Sequence, residues 1–299
     1  MVGDALVVGR GGETASILAI GDVLATDTVY AEKGGKHING VWKTRQKPNP
    51  VWHGLPEEYQ EVEYLESTGV QWIDTLLPDG SANDRFEVAA RVLFLDAANE
   101  QDVLGVYTSN NLRRYIGCNN NNVRLMSFGN AVSNIIMVPI DTQNPKIIHA
   151  TQESGYQKLT VDEVSNTGSA TGSGSSDTNL YMFARHGGSM AENFLIGRIY
   201  NLKIRVNNSD VRDFIPCYRI SDNKPGMYDL VNGVFYVNQG TGADFTVGTD
   251  VPQFIDGFEI APVREYGTWE VTAKRAGRTD FFTLVRVDAA EQFTVEVSA

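Results

Sequence analysis

GRIYNLKI (197–204), VRDFIPCYR (211–219) and GMYDLVNGVFYVNQGTG (226–242) decide the fold of this chain. In the first, Tyr200, Leu202 and Ile204 alternate with Asn201, Lys203 and Arg205. Successive side chains of a strand point to opposite faces, so a period of two marks a half-buried strand. In the third, Asn232-Gly233 stands between the apolar runs Tyr228–Val231 and Val234–Val237. Both positions of a two-residue turn need positive φ, which Asn and Gly adopt readily, so the pair predicts a hairpin. Tyr200, Tyr228, Phe235 and Tyr236 are read as core, and Asp213 and Asp229 as acceptors that tie strand ends.

The same logic extends outward. Phe86, Val88, Ala90, Val92 and Phe94 share one face of a strand, opposite Glu87 and Arg91. Residues 102–128 read as short strands between polar turns, with loop tips at Ser109–Asn111 and Asn119–Asn122, since Asn tolerates left-handed backbone. His149 follows two isoleucines and is read as a packed strand residue. GSATGSGSS (168–176) is a flexible loop by composition. Before it all lies a small β unit over 1–54, whose Lys33-Gly34-Gly35-Lys36 suits a hairpin and whose Lys43–Pro56 stretch reads as a linker. After it, 251–299 holds three further alternating segments around Trp269–Ala273, Thr279–Val287 and Phe293–Val297. No long helical period occurs. The expected fold is all-β, with a central sandwich over 55–250 flanked by small β modules.

Composition bounds the function. At 299 residues, 42% hydrophobic and 21% charged, the chain is globular and large enough for several domains. Its net charge of −12 disfavours a nucleic-acid partner, because phosphate contacts need a basic face and only Lys43, Arg45 and Lys47 cluster. Cys118 and Cys217 are two distant thiols, read as buried small hydrophobes rather than a disulfide scaffold or zinc site. No stretch is long and apolar enough for a membrane span, and the first residues lack a signal peptide's basic and apolar regions.

Several motifs run in a fixed order: Val62-Glu63-Tyr64-Leu65-Glu66-Ser67-Thr68-Gly69, then Gln71-Trp72-Ile73-Asp74-Thr75, Asn179–Arg185, Gly197–Tyr200, Val211–Cys217, Gly226–Gly233 and Gly240-Thr241-Gly242. Together they resemble the laminin-G-like, concanavalin A-like jelly-roll domains of bacteriophages and prophages. Residues 267–297 resemble the small immunoglobulin-like modules of phage tail and fibre proteins. The resemblance implies a concanavalin A-like jelly roll over 55–250 and a virion protein: a tail, fibre or head-decoration component made in a bacterial cytoplasm. It implies other virion proteins as partners, homo-oligomerisation, and adhesion to host surface polysaccharide. Two alternatives stand beside adhesion: a polysaccharide depolymerase of the same fold, and an architectural protein without ligand.

The residues give no catalytic constellation. A glycanase needs two carboxylates flanking the scissile bond. The clusters Asp96-Glu100-Asp102 and Asp162-Glu163 do not fit its pattern, and Glu61 and Glu63 read as a solvated strand face. No Gly-x-Ser-x-Gly elbow occurs, and Val7–Gly12 lacks the third glycine and the helix of a dinucleotide loop. No cofactor and no metal are expected. Calcium is the nearest possibility, on Asp79, Ser81, Asn83 and Asp84, whose composition also fits a plain turn. A sugar site wants a ring to stack on and polar groups around it. Arg113, Arg114, Tyr115, Asn119 and Asn120 are one candidate set; Arg185 and His186 are the other.

Overall fold

The structure is a computed structural model. It describes residues 49–109, 111–128 and 134–254 in full, and the backbone of strands towards both ends of the chain. The chain divides into two compact units, Met1–Trp52 with Pro252–Ala299, and His53–Val251.

The strands in chain order begin with β1 (Asp4–Arg10), β2 (Glu13–Ile20), β3 (Thr28–Lys33) and β4 (Lys36–Pro48). The second unit holds β5 (Tyr59–Glu61), β6 (Leu65–Thr68), β7 (Ile73–Ser81), β8 (Phe86–Phe94), β9 (Gln101–Ser109), β10 (Leu112–Asn119), β11 (Asn122–Met126), β12 (Ile135–Pro139), β13 (Lys146–Glu153) and β14 (Tyr156–Val161). It continues with β15 (Val164–Gly168), β16 (Ser175–Met182), β17 (Arg185–Gly187), β18 (Met190–Glu192), β19 (Ile196–Val206), β20 (Ser209–Arg219), β21 (Lys224–Asp229), β22 (Val234–Val237) and β23 (Thr246–Val247). Then follow β24 (Phe254–Pro262), β25 (Glu270–Lys274), β26 (Phe281–Phe282) and β27 (Phe293–Val295). Among the described residues there is no α-helix, and no helix is long and apolar enough to cross a membrane.

The second unit is a jelly-roll sandwich. One sheet runs β12-β11-β10-β9-β16-β7, the other β15-β14-β13-β8-β19-β20-β21-β22. A single apolar core joins them. Val88, Val92 and Phe94 of β8, Leu202 and Ile204 of β19 and Phe214 of β20 meet Leu104, Val106, Ile116, Val123 and Leu180 of the facing sheet. The alternation read over 86–94 is thus the core face, and each such side chain fully buried contributes about 1.5–3 kcal/mol.

The opening stretch forms β19 to β22, with two amendments. Asp229 pairs with Val234, so the hairpin loop has four residues rather than two. Gly233 takes positive φ, 68°, but Asn232 does not. Asn232 instead donates its amide to Asp229 Oδ2 (2.6 Å) and to the Val211 carbonyl (3.0 Å). Buried Asp229 also accepts the Asp213 and Val231 amides, while Asp213 itself receives Lys203 Nζ at 3.1 Å. The aromatics divide: Tyr236 belongs to the main core, but Tyr228 and Phe235 pack with Leu55, Tyr59, Ile215 and Cys217 on the opposite side of the sheet.

The first unit draws on both ends of the chain. β4 pairs with β24 and β1 with β25, giving sheets β27-β24-β4-β3 and β2-β1-β25-β26. The sequence reading assigns 1–54 and 251–299 to separate modules; backbone pairing puts Met1–Trp52 and Pro252–Ala299 in one unit. The immunoglobulin-like resemblance of 267–297 falls largely outside the described residues.

Candidate functional site

Strand β10 sorts the predicted residues by parity. Ile116 and Cys118 lie in the core, so Arg114 faces inward and Arg113 and Tyr115 face outward. Arg114 is 1% exposed. It lies over Phe86 and Phe128, with its guanidinium carbon 4.0 and 4.8 Å from their ring centroids. It donates to Gln152 Oε1, Asp79 O and Ser81 O and pairs with Asp79 Oδ1 at 3.2 Å. As a ligand donor Arg114 is therefore corrected: it is a core residue, because a fully dry guanidinium must spend its protons on internal acceptors.

Tyr115 is corrected as well. It is buried on the outer face of its sheet, under two arginines: Arg124 at 4.9 Å and Arg185 at 4.8 Å from its ring. Arg185 also lies 5.4 Å from the Tyr107 ring, and Arg113 lies 5.9 Å from that same ring. Arg113, Tyr115 and Arg185 thus gather around Tyr107, which sequence reasoning missed. Gly105 makes this possible. A Cβ there would fall 2.6 Å from Tyr115 Cβ, so any side chain would push the tyrosine out.

What brings Arg185 and His186 here is a turn at Phe183. That residue is fully buried yet holds φ at 64°, unusual for a bulky side chain. Its amide bonds Val103 O, its carbonyl accepts the Leu195 amide, and its ring packs 4.6 Å from Phe245. These anchors hold the strained turn, after which β17 runs parallel to β9 with Arg185 opposite Gly105.

His186 then stacks on Tyr181, ring centroids 3.9 Å apart and 6° from parallel, and Tyr181 stacks on Trp72 at 4.2 Å. Leu180 and Met182 face the core, so Tyr181 and its partners form a ladder on the outer face. Trp72 and His186 are half-buried, and His186 Nδ1 lies 2.9 Å from Asn179 O. Asn119 and Asn120 are not part of this group. They sit at the far end of β10, where Asn120 and Asn121 take positive φ and their amides bond Ala98 O and Ala97 O.

Carboxylates line the same face. Glu100 pairs with Arg124 and Arg185, Asp102 with both at 3.5 Å, and Glu192 with Arg185 at 3.0 Å. Burial pushes Asp102 up to about 6, against the pull of Arg185 and Arg124. Glu100 goes the other way: burial opposes it, but the Arg124 hydrogen bond and charge hold it below the usual carboxylate range. Environments that separate two acids in this way are the raw material of acid–base chemistry. Asp102, however, is fully buried beneath its arginines, out of reach of a substrate.

Other candidates resolve structurally. Asp79 is committed to Arg114, and Asp84 accepts the Ser81 amide and the Asn207 side chain, so this oxygen-rich stretch is bonded to its own turn. Among the described residues no group of three or more His, Cys, Asp or Glu could hold a metal ion. Glu61 is not on a solvated face: it is buried and receives His53 Nδ1 at 2.7 Å. His149, read as packed, is exposed. Both thiols are free and buried, and burial raises Cys118 to about 12.

No family model and no curated protein matches the chain. Solved structures do resemble it. A proposed carbohydrate-binding protein of Bacteroides ovatus shares 11% identity over 64% of this chain and 62% of its own, with a TM-score of 0.42. Domains LG4-5 of the mouse laminin α1 chain share 8% over 84% of each chain, at 0.37. A structure of botulinum neurotoxin type C, whose cell entry depends on two ganglioside molecules, shares 10% over 92% of this chain and 94% of its own, at 0.34. Identities this low carry no argument about ligand or partner.

Proposed function

We propose that this chain is a bacteriophage structural protein, a tail, fibre or head-decoration component, whose jelly roll adheres to host surface glycans. The observation that carries the adhesive part is the Trp72–Tyr181–His186 ladder beside Arg185. Ring faces pack against the C–H face of a sugar, and the neighbouring guanidinium and carboxylates offer donors and acceptors to its hydroxyls. The virion part is supported by the ordered motif series from Val62 to Gly242. On this reading the particle's other proteins and sister copies of the chain are the partners, and the protein is assembled into virions in the host cytoplasm.

The test uses the full chain in a glycan array and in adsorption to host cells. Binding that falls at least severalfold in Trp72→Ala and His186→Ala, with unchanged thermal stability, supports adhesion. Absence of binding to any host envelope or capsule preparation overturns it and leaves an architectural role. Depolymerisation is the second reading, for which the exposed carboxylates Glu100 and Glu192 beside Arg185 are the available acids. It requires that purified protein clear host capsule and that Glu100→Gln or Glu192→Gln abolish clearing; inactivity on every host polysaccharide removes it.

A further inference from the structure

The second aromatic cluster lies on the other sheet and has no part in the ladder. Phe214, Met227 and Tyr236 face the main core, so Ile215, Cys217, Tyr228 and Phe235 face away from it. Leu55 and Tyr59 cover most of that outer face. The cover is incomplete. A cleft of ≈ 590 Å³ opens between the segment leading into β5 and the turn after β20, walled by Glu57, Glu58, Tyr59, Arg219, Ser221 and Tyr228. That volume lies within the range of small-molecule sites, about 300–1,000 Å³.

We infer that this cleft binds an uncharged polyhydroxylated ring, a neutral sugar residue, independently of the outer face of the first sheet. The rings of Tyr59 and Tyr228, 5.0 Å apart and tilted by 50°, give an angled apolar floor. Such a floor suits a compact saturated ring with an exposed C–H face. Around it stand hydrogen-bonding groups without work: among the described residues, no hydrogen bond or ion pair engages the Glu57 and Glu58 carboxylates, the Ser221 hydroxyl or the two phenols. Free carboxylates accept from hydroxyls, and the hydroxyls here both donate and accept.

The charges decide against an anion. Arg219 is held by Asp222 through Nε (3.1 Å) and Nη2 (2.6 Å), which leaves Glu57 and Glu58 as the uncompensated charges of the cleft. They repel phosphates and acidic sugars. An organic cation would have to share the cleft with the guanidinium of Arg219, which lines it. A neutral polyol meets neither obstacle.

The experiment is saturation-transfer NMR on the full chain with glucose, galactose and N-acetylglucosamine, and with glucuronic acid and choline as counter-probes. The expected result is transfer to the ring C–H protons of at least one neutral sugar, lost in Ser221→Trp, which fills the cleft from an exposed turn, and kept in Trp72→Ala. If Ser221→Trp shifts the urea midpoint, the exposed pair Glu57→Gln/Glu58→Gln decides instead, with severalfold weaker transfer expected. No transfer to any neutral sugar, transfer unchanged by the cleft variants, or transfer to choline alone overturns the inference. Host adsorption with a silent cleft overturns this site and leaves adhesion standing; sugar transfer at the cleft without adsorption does the reverse.

Discussion

Two arginines sit between pairs of aromatic rings in the jelly roll, one on each side of the same sheet. Arg114 lies inside, between Phe86 and Phe128, against Asp79. Arg185 lies outside, between Tyr107 and Tyr115, against Asp102. In each case burial pushes the aspartate up to about 6. The surroundings differ. Arg114 spends its protons on two backbone carbonyls and Gln152 and is buried. Arg185 is 12% exposed, shares Glu100 and Asp102 with Arg124, and pairs with Glu192 as well. The inner cluster locks the end of the sandwich; the outer one holds a surface in shape. The same residue types serve both, and only the side of the sheet separates them.

The largest effect should come from Arg114→Met. It strands Asp79 in the core, and removing one partner of a buried pair costs about 3–5 kcal/mol. Urea denaturation measures it, and Arg114→Met/Asp79→Leu should recover most of the loss. A loss under about 1 kcal/mol would make the two clusters equivalent.

The next concerns pH. Both aspartates titrate near 6 when folded and from the ordinary 3.8 when unfolded. Between these values the folded chain holds more protons, so stability attributable to them falls as pH rises from ~4 to ~6 and is level above. Each contributes up to roughly 3 kcal/mol to that slope. Asp79→Asn and Asp102→Asn should each flatten the profile by a similar amount, since burial raises both from 3.8 to about 6. Equal profiles in wild type and both variants would refute the burial argument.

Gly105→Ala should cost about 1–3 kcal/mol by forcing Tyr115 outward. Its tryptophan and tyrosine near-UV dichroism should change while the contacts of Arg114 hold, which a crystal structure of the variant would show. Arg185→Met should cost least, about 1–2 kcal/mol, because Glu100 keeps Arg124 and water. A loss as large as that of Arg114→Met would erase the distinction between inside and outside.

Much of this was readable in the residues. Alternation gives β8 and β19, and the Asn run gives a left-handed tip at Asn120–Asn121. Parity on β10 also carries the fate of Arg114, since it shares its face with Ile116 and Cys118. Reading Arg113, Arg114 and Tyr115 as one set overlooks that neighbours on a strand cannot serve one surface. Tyr107 and Trp72 had weaker signals: each becomes meaningful only once Gly105 and Tyr181 lie beside it. The parallel seat of β17 depends on Phe183 holding positive φ, a conformation set by burial of its ring and not by local propensity. Tyr228 and Phe235 were read as core because apolar runs around a hairpin do not say which of two clusters each face joins.

The unit His53–Val251 is an insertion within a unit built from both chain ends, and its own ends are zipped by the Val62–Asp250 bridge and the Val251 amide on Glu61 O. Just outside, Asn49 and Gln253 are bonded, and β4 and β24 pair over nine positions from Phe254–Pro48 to Pro262–Gly40. Tension applied at the two termini therefore loads the β1–β25 and β4–β24 ladders before the jelly roll. The jelly roll bears force only after those rungs part. In a single-molecule pulling experiment it should extend as a late, separate event, so that a domain hung in this way keeps its shape while its tether is strained.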